Sequence, residues 1–352
     1  MSRKKAAILI VLLLVIAGLV WFRPSPEPVI HPNFIDNFAK DLEETYNSQG
    51  LLESLVDALA YDSRNARLAV GRESGDLEIW DLKQEYSKQL IKQAYEARAD
   101  VLTFTMDGTE LFSDSSFVGG LNLWDARTGE LRSAVGQGLG GPIIYTAKGD
   151  YYLLVKSSSG LQIYDRGQEA LDPRIMSAGG VVLSLAVQAK TGLVAVGSAS
   201  GTIDLFQFSV TDQSPSLEKI KTIKPYETGN WVIALSFSPD GKSLYAVPSR
   251  PGQIDEWSVP DLEKKGSRST SGSFVSAAAF SPDKRLLALV GNARKGGQGG
   301  DYAIELISLK SDRSIIQPVT TNFGQVVFIP PLKQLLAVHG YTVTPIDIPE
   351  DF

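Results

Sequence analysis

The chain repeats one short alternation of apolar and polar positions seven times. Each copy reads apolar, polar, apolar, bulky and then Asp or another polar residue, as in Leu-Glu-Ile-Trp-Asp at 77–81. An apolar period of two predicts a β-strand, whereas a helix would show apolar residues three and four positions apart. The seven predicted strands occupy 77–81, 121–125, 161–165, 203–207, 254–258, 304–308 and, in a weaker copy, 343–347.

A second pattern precedes each of these strands. An apolar or aromatic residue ends one run, a turn follows, and another apolar run resumes seven positions later. The clearest turn is Ser-Pro-Asp-Gly at 238–241, in which proline presets the first turn position, Asp caps the backbone and Gly accepts a positive φ. The pattern predicts seven hairpins with the facing pairs Tyr61/Leu68, Phe104/Leu111, Tyr145/Tyr152, Val187/Val194, Phe237/Leu244, Phe280/Leu287 and Phe328/Leu335.

Both patterns divide the chain into the same seven units, which recur about every 40–50 residues. A repeat of this length built from strands is typical of one four-stranded propeller blade. The sequence therefore predicts an all-β fold, a seven-bladed β-propeller of four-stranded antiparallel blades.

These motifs resemble the WD-repeat family of β-propellers over residues 56–348. The resemblance rests on the Trp-Asp pairs at 80–81 and 124–125 and on the Phe-Ser-Pro-Asp-Gly-Lys hairpin at 237–242. It implies blades whose innermost strands line a central channel and whose outermost strand is polar, such as 87–92 in blade one.

The chain departs from that family at the residues that brace each blade. The family's Gly-His before the innermost strand is absent, because the only histidines are His31 and His339. The Asp that this His would contact is replaced by Ser74, Ser159 and Ser200 at the matching hairpins. We therefore expect the blades to lack this buried hydrogen-bond network, and the closer resemblance is to divergent, bacterial propellers.

The seventh unit ends after its third strand, so we expect its outermost strand to come from upstream of blade one or to be absent. The candidate segments are 27–31, which its prolines extend, and 49–55. Between them, apolar side chains recur every four residues and Gly50 supplies a stop, which predicts an amphipathic helix over 33–48. We expect this helix to cover an exposed edge or the underside of the propeller. The alternative is that it docks a partner.

The N-terminal segment predicts a membrane anchor. Basic residues at 3–5 precede an uncharged apolar run from Ala6 to Phe22. The basic cluster is expected to stay in the cytoplasm, which puts the propeller on the far side of the membrane. A cleaved signal peptide is the alternative, because 15–17 satisfies a small-residue cleavage rule. The predicted organisation is a cytoplasmic N-terminus, a transmembrane anchor, a proline-rich stalk, a helix or closure segment, and the propeller, at 1–5, 6–22, 23–32, 33–50 and 51–352.

Composition agrees with a bacterial envelope protein. The 352 residues contain no Cys and no Asn-x-Ser/Thr acceptor, so disulfides, thiol catalysis and thiolate metals are excluded. The net charge of −6 and the pI near 5.2 argue against a nucleic-acid partner, which would need a basic face. We therefore expect a single-pass protein of the bacterial inner membrane, with its propeller in the periplasm or outside and with other envelope or membrane proteins as partners.

The sequence offers little for catalysis. The chain has two histidines far apart in sequence and no Cys, so it cannot form a metal site from a His pair or from His and Cys. The Gly-x-Ser-x-Gly motif of a nucleophilic serine does not occur either. The Gly-rich segment at 293–301 lacks the ordered Gly-Lys-Ser/Thr of a phosphate loop and is expected to form a surface hairpin. The basic run at 264–268 is expected to form a solvated turn. We expect no catalytic site, no cofactor and no metal.

The sequence is best interpreted as a non-catalytic interaction scaffold or a subunit of an envelope complex. Its binding face is predicted on the loops before the innermost strands and between the second and third strands. Two other functions stay open: a periplasmic sensor or carrier that binds a small anionic or saccharide ligand at the channel mouth, and a propeller hydrolase or lyase. The side chains predicted to contact a partner are Arg72, Phe117, Lys156, Tyr226, Trp231, Arg250 and Arg294.

Overall fold

The described part of the chain is built almost entirely from strands. A computed structural model describes residues 28–50, 55–136, 141–146, 149–157, 160–292, 302–311, 313–319, 324–350 and 352. Within these residues, 27 strands form seven antiparallel sheets, six of four strands and one of three.

Each sheet is one blade, and its strands follow one another in the sequence from the innermost outward. Blades one and two contain β1 (Val56–Asp62), β2 (Arg67–Arg72), β3 (Leu77–Asp81), β4 (Lys88–Ile91), β5 (Val101–Phe104), β6 (Glu110–Asp114), β7 (Leu121–Asp125) and β8 (Leu131–Gly136). Blades three and four contain β9 (Ile144–Tyr145), β10 (Tyr151–Ser157), β11 (Gly160–Asp165), β12 (Ala170–Ser177), β13 (Val182–Gln188), β14 (Leu193–Ser198), β15 (Ile203–Thr211) and β16 (Ser214–Ile223).

The remaining three blades complete the ring. They contain β17 (Val232–Phe237), β18 (Ser243–Pro248), β19 (Gln253–Ser258), β20 (Lys264–Ser269), β21 (Val275–Phe280), β22 (Leu286–Asn292), β23 (Tyr302–Ser308), β24 (Ser314–Val319), β25 (Gly324–Ile329), β26 (Gln334–His339) and β27 (Thr342–Asp347). A short 3-10 helix, Pro330–Leu332, links β25 to β26. The innermost strand of blade seven, β25, packs beside β1, so the ring closes between the last blade and the first.

The seven hairpins lie where the sequence pattern predicts them. In every blade the expected pair faces across the first two strands, from Tyr61 opposite Leu68 to Phe328 opposite Leu335. Each repeated five-residue phrase lies in the third strand of its blade, and β3 and β7 coincide with it. The predicted seven-bladed β-propeller is therefore confirmed.

The predicted helix is present as α1 (Phe34–Gln49) and covers the seam where the ring closes. Its side chains Phe34, Phe38 and Leu42 are buried in one core with residues of blades one and seven. The ring of Phe38 meets Trp80 of β3 edge-on, with centroids 5.3 Å apart. This core joins aromatic side chains of α1 and blade one to the aliphatic side chains Ile329, Leu336 and Val338 of blade seven, and their burial stabilises the closed ring.

Four charged side chains fix α1 to blade one, and we call Asp41, Arg72, Glu78 and Lys88 the clasp. The Nζ atom of Lys88 lies 2.7 Å from both carboxylate oxygens of Asp41 and 3.3 Å from Oε1 of Glu78. Arg72 donates from Nη2 to the same Glu78 oxygen at 2.8 Å. Two cations therefore face two carboxylates in a nearly dry site, which is the arrangement that offsets the cost of burying charge.

Neither predicted closing strand of blade seven occurs in the described residues. Residues 28–31 form no strand, and the N–H of His31 instead donates to the carbonyl of Leu82 in blade one at 2.7 Å. Of the other candidate, 49–50 end the helix and 51–54 lie outside the described residues. The expectation that 27–31 adds a strand to blade seven is therefore wrong for residues 28–31, the part of this segment that the structure describes.

The outer strand of blade seven has the helix beside it. α1 lies against β27, and Tyr46 of α1 stacks on Tyr341 with ring centroids 4.0 Å apart. Pro345 stands in the middle of β27 and carries no amide hydrogen, so this strand cannot offer a complete ladder to another chain. The helix covers the edge, as one of the two sequence interpretations expects.

Two other sequence expectations concern segments outside the described residues. The predicted anchor at 6–22 is one, and most of the Gly-rich segment, 293–300, is the other. In the ranges that the structure does describe, no helix is long and apolar enough to cross a membrane.

The basic run at 264–268 forms the outermost strand of blade five, not the expected turn. Lys264 Nζ lies 2.9 Å from a carboxylate oxygen of Asp255, and Lys265 Nζ lies 2.6 Å from Glu256, both on the neighbouring β19. Opposite charges on adjacent strands compensate the self-repulsion of the run, so a strand forms where the charge pattern alone indicates a loop.

Candidate interaction face

The propeller has two faces, which carry different loops. We call the upper face the one with the loops between the second and third strands and the segments that precede the innermost strands. The lower face carries the loops between first and second strands and between third and fourth strands. Six of the seven residues predicted to contact a partner have a described backbone, and these six belong to loops or strand ends on the upper side. The exposure of their side chains decides which of them can contact a partner.

The tip of blade two presents two exposed apolar side chains. Phe117 is 76% exposed and Val118 is 48% exposed. Hydrogen bonds fix the backbone of this loop, because the N–H groups of both residues lie 3.4 Å from Oγ of Ser115. The guanidinium of Arg98 lies over the Phe117 ring at 5.7 Å. Phe117 is thus a fixed, solvent-facing aromatic group, as the sequence predicts.

The segment before blade five presents a second exposed aromatic group, Trp231, which is 48% exposed. Its backbone is fixed on both sides by Ser249, whose hydroxyl accepts from the Trp231 N–H at 3.0 Å and whose N–H donates to the Trp231 carbonyl at 2.7 Å. Val181, in the corresponding segment of blade four, is also 48% exposed. Both residues are anchored to the upper loop of their own blade, Val181 through the N–H of Ala199.

Arg250 continues this surface toward blade six. It is exposed, and its guanidinium lies 5.1 Å from the ring centroid of Phe274. The N–H of Arg250 donates to Oδ1 of Asn230, next to Trp231, at 2.9 Å. Val181, Trp231, Arg250 and Phe274 therefore follow one another across the upper loops of blades four, five and six.

Two predicted contact residues are buried and are corrected. Arg72 is 1% exposed in the clasp, where Glu78 and Asp41 compensate its charge. Tyr226 is 7% exposed, and its hydroxyl donates to Asp255 at 2.7 Å. Side chains enclosed in this way cannot touch a docked protein, because the loops that cover them would have to open.

The structure does not describe the side chains of the other two predicted residues, Lys156 and Arg294. The backbone of Lys156 lies in β10, and its side chain lies outside the description. Arg294 lies outside the described residues. Among the seven predictions, the described surface therefore brings Phe117, Trp231 and Arg250 to the solvent.

Buried carboxylates brace three blades, and none of these braces uses a histidine. Each carboxylate is the second residue of the repeated phrase, and each donor lies in the segment before the innermost strand of the same blade. The bonds run from Gly179 N to Asp204 Oδ2 (2.6 Å), from Tyr226 Oη to Asp255 Oδ2 (2.7 Å) and from Ser271 N to Glu305 Oε2 (2.6 Å). The sequence patterns do not predict these braces, in which a carboxylate of the third strand accepts from the upper segment of its blade.

Charge and burial shift the pKa of groups in these braces. Burial alone would raise the pKa of Asp255, but hydrogen bonds from Ser267, Lys264, Tyr226 and Gln253 lower it below its usual range. Burial and the bond to Asp255 raise the pKa of Tyr226. The ionised carboxylate and the neutral phenol are thus the stable pair, which rigidifies the segment that carries Trp231.

A carboxyl group with an unusual pKa lies near Arg98, the residue that packs on Phe117. Asp57 is the second residue of the innermost strand of blade one, and burial, then the hydrogen bond and charge of Glu73, raise its pKa to about 7. Arg98 opposes this rise and lies 3.3 Å from Glu73. Asp100 adds a smaller upward effect and accepts hydrogen bonds from the backbone and the hydroxyl of Ser116. No group of three or more His, Cys, Asp or Glu side chains suited to a metal ion occurs in the described ranges.

Comparison with known proteins adds no family assignment. No protein-family model matches the chain, and no curated protein matches it. A solved structure of hydrazine synthase from Kuenenia stuttgartiensis matches 58% of this chain with 20% sequence identity and a TM-score of 0.46. The match covers 60% of that chain, so the likeness concerns only part of either protein and carries no conclusion about activity.

Proposed function

We propose that this chain is a divergent, WD-repeat-like propeller that is anchored in the bacterial inner membrane through residues 6–22 and binds another envelope or membrane protein with its upper face. The role is non-catalytic, that of a scaffold or subunit. The observation that carries the proposal is the exposure of Phe117 and Trp231 on that face, both on loops whose backbones are fixed by hydrogen bonds.

The energetics of binding favour these two side chains as contacts. Aromatic groups and Arg are enriched among the residues that dominate the binding energy of protein interfaces. A side chain that is already held in place loses little conformational entropy when a partner docks. The row of Val181, Trp231, Arg250 and Phe274 combines apolar area with one cation, and an acidic group on the partner would complement Arg250.

Local features support the WD-like assignment. The Ser-Pro-Asp-Gly turn of blade five has Ser238 Oγ donating to Asp240 Oδ1 at 2.6 Å and Gly241 at a φ of 72°. The turn of blade six repeats the bond between Ser281 and Asp283. The carboxylate braces of blades four, five and six are the divergent part, since they hold the upper segments of these blades without the family's histidine.

The position of the first described residues supports an orientation of the propeller in the envelope. Pro28 lies at the lower face, next to Ser63 and Arg64, and His31 bonds to Leu82 on the same side. If 6–22 spans the membrane, five residues at 23–27 join it to the lower face, and they reach at most about 18 Å. The upper face would then point away from the membrane, toward soluble domains of its neighbours.

Site-specific photo-crosslinking in native membranes tests the proposal. A photoreactive phenylalanine analogue at Phe117 or Trp231 should give a discrete crosslinked species of the same partner from both positions. The matched control is the same analogue at Arg127, an exposed residue of the lower face. Equal crosslinking from all three positions, or none from the two upper ones, would refute binding through the upper face.

A further inference from the structure

The lower end of the central channel contains a cavity that the partner-binding proposal does not use. The cavity measures about 510 Å³ and is bounded by the innermost strands of blades one, two, three, six and seven. A second cavity of about 670 Å³ opens beside it, between blades six, seven and one. The two share Ser63, Arg64, Pro282 and Phe328 in their walls, so they form one continuous recess that we call the lower recess.

The channel part of the lower recess has an aromatic and aliphatic wall. Phe104, Tyr145, Phe280 and Phe328 all contribute to it. Tyr145 is 40% exposed, because it faces this open space and not a packed neighbour. A volume of this size lies in the range of small-molecule sites, which are usually apolar with few polar groups.

The carboxylates around the recess already have donors. Asp62 accepts from the N–H of Arg64 and from the side chain of Asn65. Asp283 accepts from the hydroxyl of Ser281. Glu350, at the outer rim, accepts from Lys333 at 2.6 Å in an exposed ion pair. These acids therefore do not need a cation from a ligand.

The positive charge of Arg64, at the junction of the two cavities, is not paired as the carboxylates are. Arg64 is exposed, it lines both parts of the recess, and within the described ranges its guanidinium has no hydrogen-bond or ion-pair partner. A guanidinium offers a planar fork of donors that matches a carboxylate with two parallel hydrogen bonds. An apolar wall with one free guanidinium at its rim complements a molecule with an apolar body and one anionic end.

We propose that the lower recess binds a small amphiphilic carboxylate, with its ring or alkyl chain against Phe104, Tyr145, Phe280 and Phe328 and its carboxylate on Arg64. The site is at the end of the channel opposite to the upper face, so it is independent of partner binding there. An aromatic acid and a medium-chain fatty acid share this chemistry, and the measurement below separates them.

Ligand binding to the full-length chain in lipid nanodiscs tests the site, with empty nanodiscs as the reference. The probes are 3-phenylpropionate and octanoate, each compared with its neutral amide by saturation-transfer NMR and calorimetry. At least one carboxylate should bind about tenfold more tightly than its amide, because a charge-assisted bond to Arg64 is lost in the amide. Preference for the phenyl or the alkyl probe identifies the class of natural ligand.

Variants assign the binding to the recess. Arg64→Gln should remove the tenfold preference for the carboxylate, whereas the matched control Arg127→Gln, another exposed arginine of the lower face, should keep it. Tyr145→Ala should weaken the carboxylate and the amide alike. Because Arg64 and Tyr145 are exposed, these changes should leave the unfolding temperature unaltered, which excludes a misfolded protein as the cause.

Three results would overturn the proposal. The first is the absence of saturation transfer to either carboxylate. The second is equal binding of carboxylate and amide, and the third is a preference that survives Arg64→Gln. A fourth comparison addresses the chain itself, since Glu27 directly precedes Pro28 of the recess. If the Glu27→Gln variant binds the probes and the parent chain does not, the chain's own Glu27 carboxylate pairs with Arg64. That result would rule out a free ligand as the natural partner of Arg64.

Discussion

Arg72 donates to Glu78 across 2.8 Å at the centre of the clasp, and both side chains are almost completely buried. Glu78 also accepts from Nε1 of Trp80 at 2.9 Å. Burial alone would raise the pKa of Glu78, but Arg72 and Lys88 lower it below its usual range. This pair joins β2 and β3 to α1 through Asp41, so the closure of the ring depends on charges that the repeat pattern does not reveal.

Reversal of the buried charge at Arg72 should destabilise the whole propeller. Arg72→Glu leaves Glu78 and Asp41 with one cation, Lys88, and adds a third carboxylate to a buried site. Breaking a buried pair in this way costs about 3–5 kcal/mol. Urea unfolding of the full chain measures the loss, and Arg127→Glu on the exposed lower face is the control with the same charge change. Equal stability of the two variants would contradict the role of the clasp.

The sequence predicts the strands and their register because both depend on local rules. Tyr61 faces Leu68 since the turn length sets the pairing, and a one-residue slip would expose the buried face of the blade. The same logic holds in the other six blades. Seven repetitions of one pattern therefore determine the fold class with little help from tertiary contacts.

The closure and the braces depend on contacts between distant residues, which the pattern does not encode. Asp41 meets Lys88 from another element 47 positions along the chain, and neither residue stands out in its own segment. Asp255 carries a visible signal, because a carboxylate at an inward position of a strand needs donors when it is buried. The burial of Arg72 is not predictable from its segment, because a strand-end arginine looks the same in sequence whether or not a helix covers it.

The Asp57 carboxyl should make stability depend on pH between about 4 and 7. The folded chain retains this proton up to about pH 7, whereas the unfolded chain releases it near pH 3.9. Unfolding therefore releases a proton in this window, and the free energy of unfolding falls as pH rises through it. Asp57→Asn has no such proton to release, so the variant should lose less stability than the wild type between pH 4 and pH 8.

The size of this difference should be on the order of 1 kcal/mol at pH 8, because the group is only partly buried and solvent screens its interactions with Glu73, Arg98 and Asp100. Urea unfolding of both chains at pH 4, 6 and 8 checks it. Parallel stability curves for wild type and Asp57→Asn would show that Asp57 titrates as an ordinary carboxyl group. Glu73→Gln should reduce the wild-type slope, since it removes a neighbouring negative charge.

Tyr226 should stabilise the fold and should not contribute to partner binding. Tyr226→Phe removes the donor to the buried Asp255 and should lower the free energy of unfolding by about 1–3 kcal/mol. The control Tyr341→Phe changes a more exposed tyrosine that stacks on Tyr46 and should cost less. Thermal unfolding and crosslinking from Trp231 distinguish the roles. A variant with normal stability and reduced crosslinking would restore Tyr226 as a contact residue.

The orientation in the membrane can be tested with single cysteines, because the chain has none of its own. Lys190→Cys places a thiol on an exposed turn of blade four, and Ser2→Cys places one before the predicted span. In intact spheroplasts, a membrane-impermeant maleimide should label Lys190→Cys and should label Ser2→Cys only after lysis. The reverse pattern would put the propeller in the cytoplasm and remove periplasmic partners from consideration.

The surface row on blades four to six should determine partner capture without affecting folding. With the photoreactive analogue at Phe117, the added change Trp231→Ala should lower the crosslinking yield on the order of tenfold, which is the effect of losing a central aromatic contact. Arg250→Glu should lower the yield by placing like charge against an acidic partner, and higher salt should narrow its difference from the parent chain. Arg127→Glu is again the matched control. Both upper-face variants should unfold at the parent temperature, because the two side chains are exposed, so a drop in yield that follows a drop in stability would argue against a direct contact.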